Sequence, residues 1–293
     1  MGRAIRARAM TWRRLFLSLF VAALAVAGWA YWTAISDPVV RRAQVALRDW
    51  PAGAPPVRAV LVSDIHVAGP DMPPSRLQRI VGQINALRPD LVLIAGDLVS
   101  DKRFATRIYS LAEAVAPLAR LRSRLGSYAV LGNHDHWRNA DEARAALRKA
   151  GITVLDNNAV RAGPLAIGGL DDAFTDHHDL TRTLAALRPL GGARLVLSHS
   201  PDPFPEVPND VGLVLAGHTH CGQIRLPMVG AVSTMSEHGD RYACGRIEES
   251  GKTLIVGAGL GTSILPLRLG AVPDLWLIRI GPEHRRRAPV ILP

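Results

Sequence analysis

The sequence predicts an α/β fold, a largely parallel and covered sheet with a second sheet packed on it, preceded by one apolar amino-terminal segment. Three observations carry this expectation. Five short apolar runs (59–62, 91–95, 128–131, 195–197 and 213–216) are β-branched or leucine-rich and too continuous to be half exposed, so they read as buried strands. Stretches of helical spacing lie between them, and strand, helix, strand repetition implies right-handed crossovers and parallel pairing. Residues 15–35 form a 21-residue stretch without a charge.

That stretch is long enough to cross a hydrocarbon core of ~30 Å at about 1.5 Å per helical residue. Arg3, Arg6, Arg8, Arg13 and Arg14 crowd its amino side with no acid among the first fourteen residues. Beyond it Arg41, Arg42 and Arg48 are fewer and are interrupted by Asp37 and Asp49. The positive-inside rule then puts the amino terminus in the cytoplasm and, with one crossing, the rest outside it. Trp29, Tyr31 and Trp32 at the outer end suit a retained anchor, the preferred reading of residues 1–36. Against it, Arg13-Arg14-Leu15-Phe16-Leu17 resembles a twin-arginine export signal, and Ala25-Val26-Ala27 offers a small-residue cleavage site.

Residues 37–56 are expected to be a linker ended by Pro51, Pro55 and Pro56. Within it, 39–50 reads either as an edge strand or as an amphipathic helix on the membrane. A folded domain is expected over 57–281. Helical spacing covers 75–87, with Ser75 as N-cap and Leu77, Ile80, Val81, Ile84 and Leu87 as the apolar face, and also 141–150 and 180–187. Residues 105–125 read as a helix kinked at Pro117. A second set of strands (154–155, 165–168, 253–256 and 275–280) carries few ligand-type residues and is expected to form the second sheet. The chain from 210 onward shows little helical periodicity and predicts strands and loops, with 282–293 as a basic tail.

A chain of 293 residues, 48 % hydrophobic, buries one sizeable core or two small ones. Of the formal charge of +10, five come from the arginines before residue 15 and three from Arg285 to Arg287, so the remainder carries only +2. That distribution argues for topology signals and a tail, not for a face that tracks phosphates, and no nucleic-acid partner is expected. Cys221 and Cys244 are too few for a disulfide framework and are not spaced as a zinc ribbon. Cys221 follows His220 directly. It reads as a soft extra ligand, as a small residue at a tight turn (the favoured reading), or as the partner of Cys244 in an oxidising compartment.

The chemistry lies where the five runs end: Asp64-Ile65-His66, Gly96-Asp97, Gly132-Asn133-His134-Asp135, Ser198-His199-Ser200 and Gly217-His218-Thr219-His220. Ligands of open α/β sheets bind at the carboxyl ends of the strands. Each tip alone is ordinary turn chemistry, but carboxylates, an amide oxygen and several imidazoles buried together leave charge uncompensated unless a cation is present. Asp64 and His66, like His218 and His220, are two apart and in extended backbone point to one side. Asp97 has two oxygens with which to bridge two cations. Mixed His, Asp and Asn donors suit Mn²⁺, Fe, Zn²⁺ or Mg²⁺ and disfavour calcium cages and thiolate-selected metals. Asp171, Asp172, His177 and His178 read as a solvated polar loop, with a lining of the substrate cleft as the alternative. Residues 257–261 (Gly-Ala-Gly-Leu-Gly) lack the spacing of a phosphate cradle and read as tight backbone packing.

In this order the five blocks resemble those of the calcineurin-like metallophosphoesterase superfamily over residues 57–280. The strings Leu197-Ser198-His199-Ser200-Pro201-Asp202 and Ala216 to Ile224 are similar to its membrane-associated or exported bacterial branch. The resemblance implies a four-layer α/β/β/α sandwich with two divalent metal ions, one on Asp64, His66, Asp97 and His220 and one on Asp97, Asn133, His199 and His218. It implies hydrolysis of phosphoesters, including diester or pyrophosphate bonds, by a hydroxide activated between the metals. His134 matches the family's non-ligand histidine, which stabilises the transition state and protonates the leaving alkoxide. Asp135 is then either the partner that orients an imidazole or a structural turn residue. Family members often carry Gly where Cys221 stands, so no ligand role is carried over to it. Anchoring points to lipid-linked or envelope substrates such as UDP-diacylglucosamine at a bacterial inner membrane. The alternative is an extracytoplasmic interaction or scaffold protein that keeps the fold and metals without turnover, which the intact His134 disfavours.

Overall fold

The structure, a computed structural model, describes residues 2–283. The first half of the chain forms α1 (Gly2–Ile35), β1 (Val39–Leu47), β2 (Val57–Val62), α2 (Pro74–Ala86), β3 (Leu91–Ala95), α3 (Leu111–Val115), β4 (Ser127–Val130), α4 (Asn133–Lys149) and β5 (Thr153–Val154). There follow β6 (Asn158–Ala162), β7 (Leu165–Gly169), α5 (Leu180–Leu187), β8 (Ala193–Leu197), β9 (Leu213–Ala216), β10 (Arg225–Leu226), β11 (Gly230–Ala231), β12 (Gly245–Glu249), β13 (Lys252–Val256) and β14 (Asp274–Pro282).

Two six-stranded sheets result, in the orders β1-β14-β2-β3-β4-β5 and β12-β13-β9-β8-β7-β6. Within the first, β2 to β5 run parallel and β14 is antiparallel to β2; within the second, β7, β8, β9 and β13 are parallel and the outer strands β6 and β12 antiparallel. Successive side chains of an extended strand point to opposite faces, and the apolar residues obey this. Val60 and Val62 of β2 face a core shared with α2, α3 and α4, whereas Ala59 and Leu61 face a core between the sheets. Likewise Leu195 and Leu197 of β8 enter the inter-sheet core, while Val196 packs with Leu187 of α5 in a third. Three cores separate four layers, helix, sheet, sheet and helix.

Several expectations change. The five ligand-bearing strands do not share a sheet: β2, β3 and β4 lie in the first and β8 and β9 in the second. The strands expected to form the second sheet also divide, β5 and β14 joining the first and β7 and β13 the second. The segment expected as a linker contains β1, paired along all nine residues with β14, so 39–47 is an edge strand and not a surface helix. The 105–125 helix shrinks to α3 and a 3₁₀ turn (Ala116–Arg120). A capping box of Ser110 and Glu113 fixes its start, and Pro117, lacking an N–H, sits where the α-helical ladder gives way. Helix α2 starts one residue before Ser75, with Pro74 in its first turn and Pro73 as N-cap, so Ser75 caps nothing. The basic tail from 284 lies outside the described residues. Helix α1 carries an apolar stretch, Thr11–Ile35, long enough to cross a membrane.

Candidate metal centre

The carboxyl ends of β2, β3, β4, β8 and β9 meet at one edge of the sandwich. They do so through sharp turns and not through the extended backbone that the two-residue spacings assume. The φ angles at Asp64, His66, Asp97, His218 and His220 are 47°, 49°, 55°, 70° and 51°. Left-handed backbone at non-glycine residues costs roughly 1–3 kcal/mol each and persists only where the surroundings impose it. Here the Asp64 N–H donates to the Gly96 carbonyl (3.1 Å), the His66 N–H to the Asp97 carbonyl (2.9 Å), and the His218 N–H to both Asp64 oxygens (2.9 and 3.1 Å). Two glycines make room: a Cβ on Gly132 would lie 2.3 Å from Asp97 Oδ1, and one on Gly259 2.5 Å from the Asp64 Cβ. The Gly257 to Gly261 run is therefore packing against the tip of β2, as its spacing suggested.

Asp64, His66, Asp97, Asn133, His199, His218 and His220 are all buried, and their polar ends converge. On one side, His66 Nε2 lies 3.0 Å from His220 Nε2, and His220 Nε2 3.7 Å from Asp64 Oδ1. On the other, His199 Nε2 lies 3.1 Å from both Asn133 Oδ1 and His218 Nδ1. Asp97 Oδ2 stands between, 3.4 Å from His66 Nε2 and 3.3 Å from His199 Nε2. Donor atoms of Asp64, His66 and His220, of Asp64, Asp97 and His199, and of His66, Asp97 and His134 each lie within 4.8 Å of one another.

Whether these residues fit cations is decided by the far side of each ring. His66 Nδ1 faces the Val99 carbonyl (3.1 Å), His199 Nδ1 the Ala95 carbonyl (2.7 Å) and His218 Nε2 the Met235 carbonyl (3.1 Å). A carbonyl accepts only from an N–H, so in each neutral ring the remaining nitrogen, with its lone pair, points into the cluster. Burial holds His66 and His220 well below the usual imidazole range and His218 at about 4, the neutral form a cation needs. Burial lifts Asp64 to about 6. His199 is the exception: burial opposes its charge, but Asp97 beside it holds it well above the ordinary value. Asp97 is in turn held well below its own range, against its burial, by His199 and His66. The donor set fits two divalent cations, the family-implied number.

His134 reaches the mouth of the site from the first turn of α4, its N–H donating to Asp97 Oδ1 (2.9 Å). Its Nδ1 lies 3.4 Å from Asp101 Oδ2, which with Asp97 raises its pKa although burial works the other way. The Asp135 carboxylate touches no imidazole among the described residues. It accepts from the N–H groups of Leu98 (2.9 Å) and Gly132 (3.0 Å), tying the β3 tip to the β4 tip, so of the two roles considered the turn role is the one its contacts match. Two groups were not legible in sequence. Asp101, four residues after Asp97, also binds Arg138 (2.8 Å); a second carboxylate on the same tip was its only signal. Arg268, fully buried, donates to the carbonyls of Ala258, Gly259 and Gly261 and approaches His220 Nδ1 at 3.3 Å. Nothing in the local sequence marks it.

Asp171 and Asp172 are buried, not solvated. Asp171 binds His136 Nε2 (2.8 Å), and Asp172 accepts from the N–H and hydroxyl of Thr175. His136 stacks on His177, with ring centroids 3.9 Å apart. Cys221 and Cys244 form a disulfide, which settles the role of Cys221 in favour of pairing and removes its thiol as a ligand. Over the cluster lies a cleft of about 380 Å³ whose walls include His134, Trp137, Phe174, Val232, Ile264 and Leu265. The floor is polar and the walls are apolar.

A two-sheet α/β fold with clustered His and Asp donors at its strand tips is that of a domain able to hold metal ions. The model of the calcineurin-like phosphoesterase family matches residues 57–222, more than half of the chain, and the chain belongs to that family. Among relatives, a transmembrane protein with metallophosphoesterase domain from Danio rerio is 31 % identical over 285 residues, 90 % of this chain and 62 % of that protein. The metallophosphoesterase YkuE of Bacillus subtilis is 31 % identical over 212 residues, 70 % of this chain and 72 % of that protein. The chain thus spans about three fifths of the length of the Danio rerio relative. Among solved structures, NAD nucleotidase (NadN) of Haemophilus influenzae superposes with a TM-score of 0.47 at 16 % identity, covering 71 % of this chain and 51 % of that one.

Proposed function

We propose that the protein hydrolyses phosphoesters, diester or pyrophosphate bonds in particular, whose alcohol or diphosphate carries an apolar group and which are presented at a membrane. The observation that carries this reading is the pairing of inward-facing imidazole nitrogens with an apolar-walled cleft directly above them. Asp64, His66, Asp97 and His220 are assigned to one cation and Asp97, Asn133, His199 and His218 to the other. Two bound cations supply Lewis-acid stabilisation of phosphoryl charge and lower the pKa of the attacking water. The protein does the rest. His134, whose pKa Asp101 and Asp97 raise against its burial, stands over the floor of the cleft as the proton donor to the leaving oxygen. Asp135 holds the β3 and β4 tips in register, and the apolar walls limit water.

The orientation we assign, amino terminus in the cytoplasm and domain outside a bacterial inner membrane, is supported by the arginines before residue 15 and by a disulfide that suits an oxidising compartment. A phosphatase fused to the carboxyl terminus should be active if this holds, and protection of the domain from external protease in spheroplasts would reverse it. Replacing Arg13 and Arg14 by lysine should leave insertion intact for an anchor and block it for a twin-arginine signal. The function itself is tested by metal analysis of the purified chain with a substrate panel: nitrophenyl monoester, bis(p-nitrophenyl) phosphate, and lipid-linked pyrophosphates including UDP-diacylglucosamine. Metal-dependent turnover of diester or pyrophosphate is expected. Full metal loading with no turnover of any member would return the chain to a scaffold role.

A further inference from the structure

Two loops beside the cleft reach the surface without a charged residue, residues 226–236 around the β10–β11 hairpin and residues 263–267 before Arg268. Their apolar side chains face solvent: Met228 wholly, Val229, Val232 and Ile264 by 62–72 %, with Leu226 and Leu265 more than a third exposed. Exposed apolar side chains gathered on neighbouring loops in this way mark an interaction site on a folded domain. What covers it is indicated by what it is joined to. The Arg225 N–H donates to the Leu269 carbonyl (2.7 Å), and Gln223 Nε2 donates to the carbonyls of Leu265 and Leu267 (3.0 Å each), so hairpin and loop form one unit. That unit is joined to α1, because the Arg268 N–H donates to the Ala30 carbonyl (2.9 Å), and Ala30, Thr33 and Ala34 are buried against the domain. On either side of Ala30 the rings of Trp29 and Trp32 are exposed, each by 65 %. Exposed tryptophans at the end of a spanning helix sit at headgroup level. Ile264 is four residues from Arg268, within roughly 14 Å of it even if the chain is fully extended.

We propose that the hairpin tip and the 263–267 loop are a second membrane contact, resting in the headgroup layer beside α1 and laying the mouth of the metal cleft on the bilayer surface. Charge-free apolar tips are the composition that partitions into this layer. Val232, Ile264 and Leu265 belong both to this surface and to the cleft wall, so the apolar tail of a membrane lipid entering the cleft passes from one apolar surroundings to another. This last step rests on the phosphoesterase reading above; the membrane contact rests only on α1 crossing the bilayer.

The test uses the full chain reconstituted in phosphatidylcholine vesicles. Because both native cysteines are paired, Met228→Cys and Ile264→Cys each give a single labelling site, and Asp141→Cys, whose side chain is 95 % exposed on α4, is the control. With an environment-sensitive fluorophore, positions 228 and 264 should show blue-shifted emission quenched by lipids spin-labelled near the headgroup, and position 141 neither. Equal, water-like emission at all three sites overturns the proposal. A blue shift that grows with protein density but is not quenched by the labelled lipid also overturns it, assigning the patch to a second copy of the chain. The double variant Met228→Asp, Val229→Asp should lose roughly tenfold in kcat/KM toward a vesicle-borne phosphoester while turning over soluble bis(p-nitrophenyl) phosphate as the parent does. Equal losses on both substrates would count against a role at the bilayer. If the parent turns over neither substrate, the phosphoesterase reading fails while the quenching result still decides the membrane contact.

Discussion

Asp97 and His134 are joined through the backbone: Asp97 Oδ1 accepts the His134 N–H at 2.9 Å, while Asp97 Oδ2 faces the imidazoles of His66 and His199. One carboxylate therefore spans the two halves of the cluster and seats the histidine at its mouth. The first turn of α4 cannot shift without moving the group that lies between the two sets of donors.

An Asp97→Asn variant keeps an oxygen for the His134 N–H but loses the charge that balances the imidazoles. Metal content should fall below two ions per chain and turnover by at least on the order of 10²-fold, since even outer partners of metal ligands are worth 10–100-fold. Mass spectrometry of the intact protein and a diester assay measure both; full occupancy with undiminished activity would falsify the assignment of Asp97 as the bridge.

His134→Ala should separate chemistry from metal binding. Both ions are expected to remain, with a loss of roughly 10² to 10⁴ in rate for alkyl esters and a smaller loss for nitrophenyl esters, which need no protonation of the leaving group. Identical losses for the two ester types would exclude proton donation, and loss of one metal would make His134 a ligand.

The His136–Asp171 pair (2.8 Å) gives a pH dependence whose sign follows from its shifts. His136 is raised above 6.5: burial opposes its charge, but Asp171 outweighs burial. Asp171 is lowered below 3.8 by His136, again against its burial. The histidine's contribution is complete below pH 6.5 and fades as pH rises through its raised value. The aspartate's is complete above pH 3.8 and fades as pH falls through its lowered value. The melting temperature of the parent should thus exceed that of His136→Asn most between these limits, and the difference should shrink at alkaline pH. A difference independent of pH would show that packing on His177, not charge, is what the ring supplies.

Removing the disulfide should cost stability through the unfolded chain. Cys221 and Cys244 are 23 residues apart, and closing a loop of that size is worth about 3 kcal/mol. Chemical denaturation of a Cys221→Ala, Cys244→Ala variant reads this directly. Because His220 precedes Cys221, metal affinity should drop as well; unchanged affinity would mean that the strained backbone at His220 is held by other contacts.

What could be read in the chain, and what could not, divides along physical lines. The apolar runs and the ligand residues after them are adjacent in sequence, so Ile94-Ala95-Gly96-Asp97 shows strand and ligand in four letters. Which sheet a strand joins is another matter. Val214 and Leu215 of β9 are both fully or nearly buried, as are Val60 and Leu61 of β2, so neither strand shows a polar face that would tell one sheet from the other. β1 has the half-exposed pattern of an edge, but its partner lies more than two hundred residues away at β14. A separation of 48 residues likewise hid Arg268 from His220, whereas the carbonyl of Met235, only 17 residues from His218, was hidden for another reason. Backbone acceptors carry no side-chain signature at all.

β14 is the last strand described and lies between β1 and β2, both of which precede it by more than two hundred residues. During synthesis the earliest strands of the first sheet therefore wait, with their facing edges unpaired, until Asp274–Pro282 emerges and slides between them. Such a long-range closure is slow compared with local pairing. The interval before that strand arrives is when neighbouring nascent chains are most able to pair with each other. A chain terminated before Asp274 would never leave that state, keeping two open strand edges.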